Sequence, residues 1–224
     1  HAQAGIPDPL WSRGLGDVYK RQGKGFSAGH NLKEVGGIKN RSNHLKLFNL
    51  CSKLMMKIVE GKKPVIAKVH GAAYAAGCQL AASCDLAYST TNATFATPGV
   101  NIGLFCSTPM VAVSRKVTRK IMMKMLLTGD PINAKYAKKI GLINDCFSNK
   151  KLNVEVLKIA KKISSKSNLT IKIGKQAFYK QLEMPLGDAY KFTSKMMTLN
   201  MASQDAKEGI SAFLQKRKPS WKNK

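Results

Sequence analysis

Two segments rich in glycine and alanine contain the residues of this sequence that could do chemistry. The first runs from Phe26 to Glu34 and places Ser-Ala-Gly directly before His30. These small residues let a ligand approach the backbone, and the turn and helix start that follow can present free N–H groups to an anionic oxygen. An ordinary turn between a strand and a helix is the alternative interpretation of the same pattern.

The second segment runs from His70 to Leu80 and places very small residues at the predicted start of another helix. It follows Pro64 and a short β-branched run, which is typical of a buried strand. A helix N-terminus leaves backbone donors unpaired and carries partial positive charge, so its amides could bind an oxyanion. Close packing of the helix on neighbouring backbone would require the same small residues, and both interpretations stay open.

Other reactive side chains give weaker evidence of a catalytic role. Cys106, Ser107 and Thr108 lie in a loop from Asn101 to Pro109, but no base accompanies them in the sequence, which favours structural roles. The spacing of His, Cys, Asp and Glu shows no pattern typical of metal ligands, so no metal is predicted.

The elements that position these segments form an α/β core followed by helices. Short apolar runs bounded by Gly and Pro predict alternating strands and helices up to about residue 150. Beyond that point the periodicity predicts four helices, over 152–164, 170–181, 187–200 and 204–216. Residues 1–22 show neither helical nor strand period and resemble adaptor-derived translation, so we predict a non-native leader.

Composition limits the functional classes further. The chain has 224 residues with a formal net charge of +26, which predicts a solvated basic surface or attraction to a polyanion such as nucleic acid or a phosphate-rich cofactor. Its five cysteines include no Cys-x-x-Cys pair, which predicts reduced thiols. No apolar run reaches the roughly 18 residues that a membrane-spanning helix needs.

Several motifs occur together with the two small-residue segments, at a separation typical of one family. They are Cys84–Ala87, Phe95–Pro98, Leu127–Gly129 and Ala137–Leu142. From Gly23 to about Lys218 the sequence resembles the crotonase (enoyl-CoA hydratase/isomerase) family. The resemblance implies an α/β fold: a spiral core of ββα turns over 23–150 and a C-terminal helical region over 151–224 that builds trimers, often paired into hexamers. It also implies that the chain is truncated at its N-terminus relative to the family.

The shared chemistry of the family is stabilisation of a thioester enolate by two backbone N–H groups. Carried over residue by residue, the donors would be those of His30 and Ala76, with Gly77 beside the second. The two glutamates that hold the attacking water in hydratases of the family correspond to Gln79 and Gly99. An amide cannot accept a proton from water near neutral pH and glycine has no side chain, so the sequence predicts the loss of ordinary hydration.

The resemblance implies that the ligand is a coenzyme A thioester and that no prosthetic group is needed. The expected contacts are mostly backbone groups, with two lysines that could reach a phosphate in a neighbouring subunit. These residues are Ala28, His30, Asn31, Leu32, Gly77, Lys216 and Lys218. The His30 imidazole could also act as an acid. The family branch implies a mitochondrial protein whose targeting segment is absent from this chain.

Three classes of function follow. The first is an enzyme of acyl-CoA chemistry that works without paired glutamates, such as a decarboxylase or a thioester hydrolase. The second is a non-catalytic acyl-CoA binder. The third is an RNA-binding protein, suggested by the charge and by one relative that binds RNA, although the sequence contains no RNA-recognition signature.

Overall fold

The fold of the chain was taken from a computed structural model, which describes residues 25–224 and the strand Asp17–Tyr19. The strands are β1 (Asp17–Tyr19), β2 (Val65–Val69), β3 (Ala72–Tyr74), β4 (Leu86–Thr90), β5 (Thr94–Ala96), β6 (Ile132–Asn133) and β7 (Asp145–Phe147). The α-helices are α1 (Leu32–Gly37), α2 (Arg41–Glu60), α3 (Ala76–Ser83), α4 (Ser107–Val113), α5 (Arg119–Thr128), α6 (Ala134–Lys139), α7 (Asn149–Ser164), α8 (Asn168–Gln181), α9 (Leu186–Met201) and α10 (Gln204–Leu214). A 3-10 helix spans Pro98–Ile102.

The strands form two sheets that the chain visits in alternation. One sheet has the order β1-β2-β4-β7 and its neighbouring strands are parallel, whereas the other has the order β3-β5-β6. The chain passes from β2 to β3 and then through α3, and it returns to pair β4 with β2 and β5 with β3. Each turn therefore places one strand in each sheet, which confirms the predicted ββα spiral.

Burial explains why the central strand is so apolar. Four of the five residues of β2 are buried, as expected for a parallel strand covered on both faces. On one side β2 packs against α3, whose buried small residues allow close contact with the sheet. On the other side Ile66 and Tyr88 meet Leu152, Val156 and Ala160 of α7.

The C-terminal helical region is tied to the spiral core by a largely buried ion pair. Asp85, at the start of β4, accepts hydrogen bonds from Lys175 Nζ at 2.8 Å and from the Tyr179 hydroxyl at 3.0 Å, both on α8. Lys175 also donates to the Ile58 carbonyl oxygen at the end of α2. Burial, and then the neighbouring Asp85 carboxylate, raise the pKa of Tyr179. These contacts join α2 and α8 to the start of β4.

The last residues of the chain fold back onto the helical region around a buried carboxylate. Asp205, at the start of α10, accepts hydrogen bonds from the Ser167 hydroxyl and from the amides of Lys222 and Asn223. Burial opposes ionisation of this carboxyl, but the three hydrogen bonds outweigh it and lower the pKa of Asp205.

The predicted elements agree with the structure except in a few places. The four helices expected after residue 150 are α7 to α10, with ends within a few residues of the prediction. The turn expected over 71–77 contains β3, and α4 was not predicted. The strand β1 lies inside the segment 1–22 that was set apart as a leader, and its pairing with β2 is a finding of the structure. The proposed origin of that segment and the domain boundaries stay predictions.

None of the described helices is both long enough and apolar enough to cross a membrane. All five cysteines are free, and Cys78, Cys84 and Cys106 are buried.

Candidate functional site

The two small-residue segments meet at one place in the structure. Ser27 forms a parallel bridge with Ala73 of β3, so the first segment continues the smaller sheet at its edge. The Ser27 amide donates to the Ala72 carbonyl at 3.0 Å, and the Tyr74 amide donates to the Ser27 carbonyl at 2.8 Å. These bonds hold the loop that ends at Asn31 against the start of α3.

Two glycines allow the backbones to come this close. A Cβ atom on Gly77 would lie 2.2 Å from the Ser27 carbonyl oxygen, far inside van der Waals contact. A Cβ atom on Gly29 would lie 3.0 Å from the Cβ of Ala75 and 3.3 Å from the amide nitrogen of Ala76. Gly29 also has a φ of +99°, a conformation that side chains disfavour. Gly29 and Gly77 are therefore required by the close approach of the two backbones.

Unpaired amides flank this contact. Helix α3 begins at Ala76 without a side-chain cap, after Ala75, which has the uncommon φ of 48°. The Ala75 amide donates to the Ala96 carbonyl of β5 at 3.0 Å. Within the described residues, neither the His30 amide nor the Ala76 amide donates a hydrogen bond to the protein. Two such amides beside a helix N-terminus are suited to an anionic oxygen.

The residues around Gly29 are open to a ligand. Ala28, Asn31 and Leu32 are exposed. The Asn31 side chain accepts a hydrogen bond from the Lys33 amide and thereby caps α1. The Asn31 carbonyl oxygen accepts the Val35 amide at 3.0 Å, so the Asn31 backbone is partly used by α1 itself.

The His30 ring and the Gln79 side chain both face the same side of α2. His30 contacts the Phe48 ring edge-on, with a centroid distance of 5.6 Å. One turn further along α2, the Cys51 thiol donates weakly to Gln79 Oε1 over 3.9 Å. Gln79 is only 4% exposed, and burial raises the pKa of the Cys51 thiol. The structure therefore holds a neutral amide, with a neutral thiol beside it, at Gln79, where the sequence predicted the loss of a glutamate.

Gly99 lies in the 3-10 helix that follows β5. The Ala75–Ala96 hydrogen bond places the end of β5 beside the start of α3, and Gly99 follows three residues later. Its amide donates to Cys106 Sγ at 3.3 Å. A Cβ atom on Gly99 would lie 3.0 Å from that sulfur and 2.9 Å from the Leu104 carbonyl oxygen. The space where a side chain at this position would begin is already filled.

The two lysines that were predicted to contact the cofactor lie near the end of the sequence, just after α10. Lys216 and Lys218 are exposed, and Arg217 between them forms an ion pair with Glu208 at 2.6 Å. In the described part of the chain, no hydrogen bond or ion pair joins either lysine to the loop around His30. One chain alone therefore does not bring the lysines into the site.

No group of three or more His, Cys, Asp or Glu side chains within the described residues is arranged to hold a metal ion. The contacts of Cys51 and Cys106 were not predicted from the sequence. For Cys106 the sequence favoured only a structural role. No sequence signal links either cysteine to its partner, because both contacts join residues from different elements.

Comparison with known proteins supports the resemblance over most of the chain. The family model described as enoyl-CoA hydratase/isomerase matches residues 19–224. The chain belongs to this family. The human protein named enoyl-CoA hydratase domain-containing protein 3, mitochondrial, is 50% identical over 204 residues, which cover 91% of this chain and 67% of that protein. The mitochondrial enoyl-CoA hydratase of Pongo abelii is 34% identical over 201 residues, covering 89% and 68%.

Solved structures of family members have the same fold. The crystal structure of the human domain-containing protein 3 has a TM-score of 0.89 and 50% identity, and it covers 91% of this chain and 81% of that chain. An enoyl-CoA hydratase from Mycobacterium smegmatis has a TM-score of 0.90 and 46% identity, with coverage of 91% and 79%. The chain is more similar to the domain-containing protein 3, at 50% identity, than to the hydratase of Pongo abelii, at 34% identity, which confirms the resemblance to the first of these two branches. Both of these relatives are named as mitochondrial proteins, which supports the predicted location.

Proposed function

We propose that this member of the enoyl-CoA hydratase/isomerase family binds acyl-CoA in mitochondria and stabilises negative charge on the thioester oxygen through the amides of His30 and Ala76. The observation that carries the proposal is the contact of Gly29 with the start of α3, where both amides have no protein acceptor. Such donors stabilise charge that develops in a transition state, and the loss of one costs roughly 10²–10³ in rate in comparable sites.

Hydration of 2-enoyl-CoA is not the proposed reaction. Gln79 is neutral and buried, and Gly99 contributes no side chain, so no carboxylate stands at either position that would hold and deprotonate water. Reactions that need the oxyanion site and at most one further polar group remain, such as decarboxylation or thioester hydrolysis. In this scheme the His30 imidazole is the candidate proton donor.

A non-catalytic acyl-CoA binder is the second candidate. It is favoured by the neutral environment of Gln79 and by the filled space at Gly99, which together leave few groups able to transfer protons. The two candidates differ in turnover and share the binding site. RNA binding is the third candidate, and the feature of this chain that suggests it is the net charge of +26.

The exposure of Ala28, Asn31 and Leu32, with half-buried His30 beside them and Gly77 at the contact between the two segments, supports their proposed role in contacting the cofactor. Lys216 and Lys218 would reach a phosphate group only across a subunit boundary. We therefore include a homotrimer or hexamer in the proposal. It is supported by large apolar side chains that α9 and α10 leave in contact with solvent, among them Tyr190 at 69% and Phe213 at 81% exposed. The molar mass in solution, measured by light scattering, tests this assembly.

The binding proposal is tested by removing one amide. Ala76→Pro deletes the N–H at the first position of α3, where proline is sterically tolerated. Asn149→Pro at the first position of α7 is the matched control, since Asn149 is exposed and distant in sequence from the site. Titration calorimetry with acetyl-CoA should show binding that is lost in Ala76→Pro and retained in the control, with circular dichroism used to verify that both variants fold.

His30→Ala keeps the backbone donor and removes the imidazole. It should preserve acetyl-CoA binding, and it should slow turnover of acyl-CoA or malonyl-CoA substrates, followed by mass spectrometry, if the imidazole takes part in the reaction. Unchanged acetyl-CoA binding in a folded Ala76→Pro variant would refute the oxyanion site. Absence of turnover of every thioester, with binding intact, would favour the non-catalytic binder.

A further inference from the structure

The space next to Gly99 is occupied by a sulfur atom. Any side chain at position 99 would place its Cβ 3.0 Å from Cys106 Sγ and 3.3 Å from the Cys106 amide nitrogen. Carbon and sulfur atoms at ordinary contact are roughly 3.5–4 Å apart, so the sulfur would have to move, as would the Leu104 carbonyl oxygen at 2.9 Å. Cys106 thus crowds the point where a side chain at position 99 would begin.

The sulfur is buried and hydrogen-bonded in this place. The Gly99 amide donates to it at 3.3 Å, and Cys106 is only 7% exposed. Cys106 belongs to the same buried cluster as Cys78, which directly precedes Gln79 on α3. Cys106 therefore joins residue 99 to the buried core that α3 helps to form.

A thiol in this environment cannot replace the carboxylate chemically. Burial raises the pKa of Cys106, with the Gly99 amide offsetting part of the effect, so the group is a neutral thiol near pH 7. A neutral thiol is a weak donor and acceptor and does not deprotonate water. Cys106 therefore fills the space beside position 99 without supplying a base.

We propose that Cys106 is a specificity-determining residue of this site, which bars water-addition chemistry by crowding, together with the Leu104 carbonyl oxygen, the point where a side chain at position 99 would begin. The inference rests on the proposed acyl-CoA function. Its consequence is that the packing of the loop from Gly99 to Cys106 prevents hydratase activity. Glutamates introduced at positions 79 and 99 alone therefore do not restore that activity.

A stability experiment tests the steric part without any ligand. Gly99→Ala adds only the Cβ atom and should lower the melting temperature by roughly 2–12 °C, the range expected for an overpacked site in a domain of this size. In a Cys106→Ala background the same substitution should lower it by a smaller amount, because the contact with the sulfur is gone. The remaining loss reflects the Leu104 carbonyl oxygen, 2.9 Å from the added atom.

Gly187→Ala on α9 is the matched control, because a Cβ atom there would meet nothing within 4 Å. It should not lower the melting temperature in either background. Equal losses from Gly99→Ala with and without the Cys106 sulfur would overturn the proposal.

An activity experiment tests the chemical part. Gln79→Glu/Gly99→Glu is compared with the same pair carrying Cys106→Ala, using crotonyl-CoA as the substrate. The triple variant should hydrate it at least about 10²-fold faster than the double variant, the lower bound for a general base in place. Equal hydration by the two variants would overturn the proposal, whereas a double variant that fails to fold while the triple variant folds supports it.

Acetyl-CoA binding by the unsubstituted protein is measured alongside. If that binding is absent, the proposed function fails and the stability experiment still decides whether Cys106 fills the space at position 99.

Discussion

Gly77→Ala is the smallest change that should separate the two halves of the candidate site. The added Cβ atom would lie 2.2 Å from the Ser27 carbonyl oxygen and 2.7 Å from the Ser27 Cβ. The Ser27 carbonyl is backbone and already accepts the Tyr74 amide, so it cannot rotate aside as a flexible side chain would. The loop that carries His30 must therefore recede from α3.

The size of the effect follows from the displacement. Ordinary contact needs a separation of roughly 3.5 Å, so the loop has to move by roughly 1 Å. Overpacking of this kind costs about 1–3 kcal/mol of folding free energy. The effect on a reaction is larger, since a misplacement of about 1 Å at a reacting centre can cost on the order of 10² in rate.

The assay combines thermal unfolding with acetyl-CoA binding and, where turnover is found, with rate measurement. Gly77→Ala should lower the melting temperature by roughly 2–12 °C and abolish or strongly weaken thioester binding. Gly174→Ala on α8 is the matched control, since its Cβ atom would meet nothing within 4 Å. Unchanged acetyl-CoA affinity in Gly77→Ala would show that the spacing between the two segments does not matter for binding, and would refute the reasoning.

Four further predictions follow. Because Gln79 and Gly99 supply no carboxylate, the protein should hydrate crotonyl-CoA about 10²–10⁴-fold more slowly than a relative with both glutamates, and family-typical hydration in a continuous absorbance assay would contradict this. Lys175→Met leaves the Asp85 carboxylate without its cation, in an ion pair whose lysine side chain is only 6% exposed. The free energy of unfolding, measured by denaturant titration, should therefore fall by about 3–5 kcal/mol. The control Lys162→Met, on the exposed face of α7, should lower it by less than about 0.5 kcal/mol. Because the pKa of Asp205 is lowered in the folded protein, its carboxylate stabilises the fold fully above the unfolded-state pKa of about 4. This contribution is lost as the pH falls through the lower folded-state pKa. Asp205→Asn should therefore destabilise the protein at pH 7 and much less at pH 2. RNA binding that depends only on net charge should be weak and should vanish between about 50 and 200 mM salt, and tight, sequence-selective binding at physiological salt would favour the RNA-binding alternative.

The sequence allowed the motifs to be recognised and the main elements to be predicted, because their signals are local. Pro64 and the β-branched run after it predicted β2, and the helical period after residue 150 predicted α7 to α10. Short elements were missed where local signals are weak. Strand β3 has three residues, two of them alanine, and it exists because it pairs with β5. Its identity as a strand depends on a partner that lies about twenty positions further along the chain.

By itself the sequence determined the family, the alternation of strands and helices, and the absence of carboxylates at positions 79 and 99, since each is a matter of which residues stand in which order. Only the tertiary structure decided that Gly29 and Gly77 are needed for contact between two backbones, that Cys51 faces Gln79, and that Cys106 fills the space beside Gly99. The physical reason is that steric exclusion and hydrogen bonding act over a few ångströms between atoms that folding brings together from separate elements, and no local pattern of residues encodes those distances.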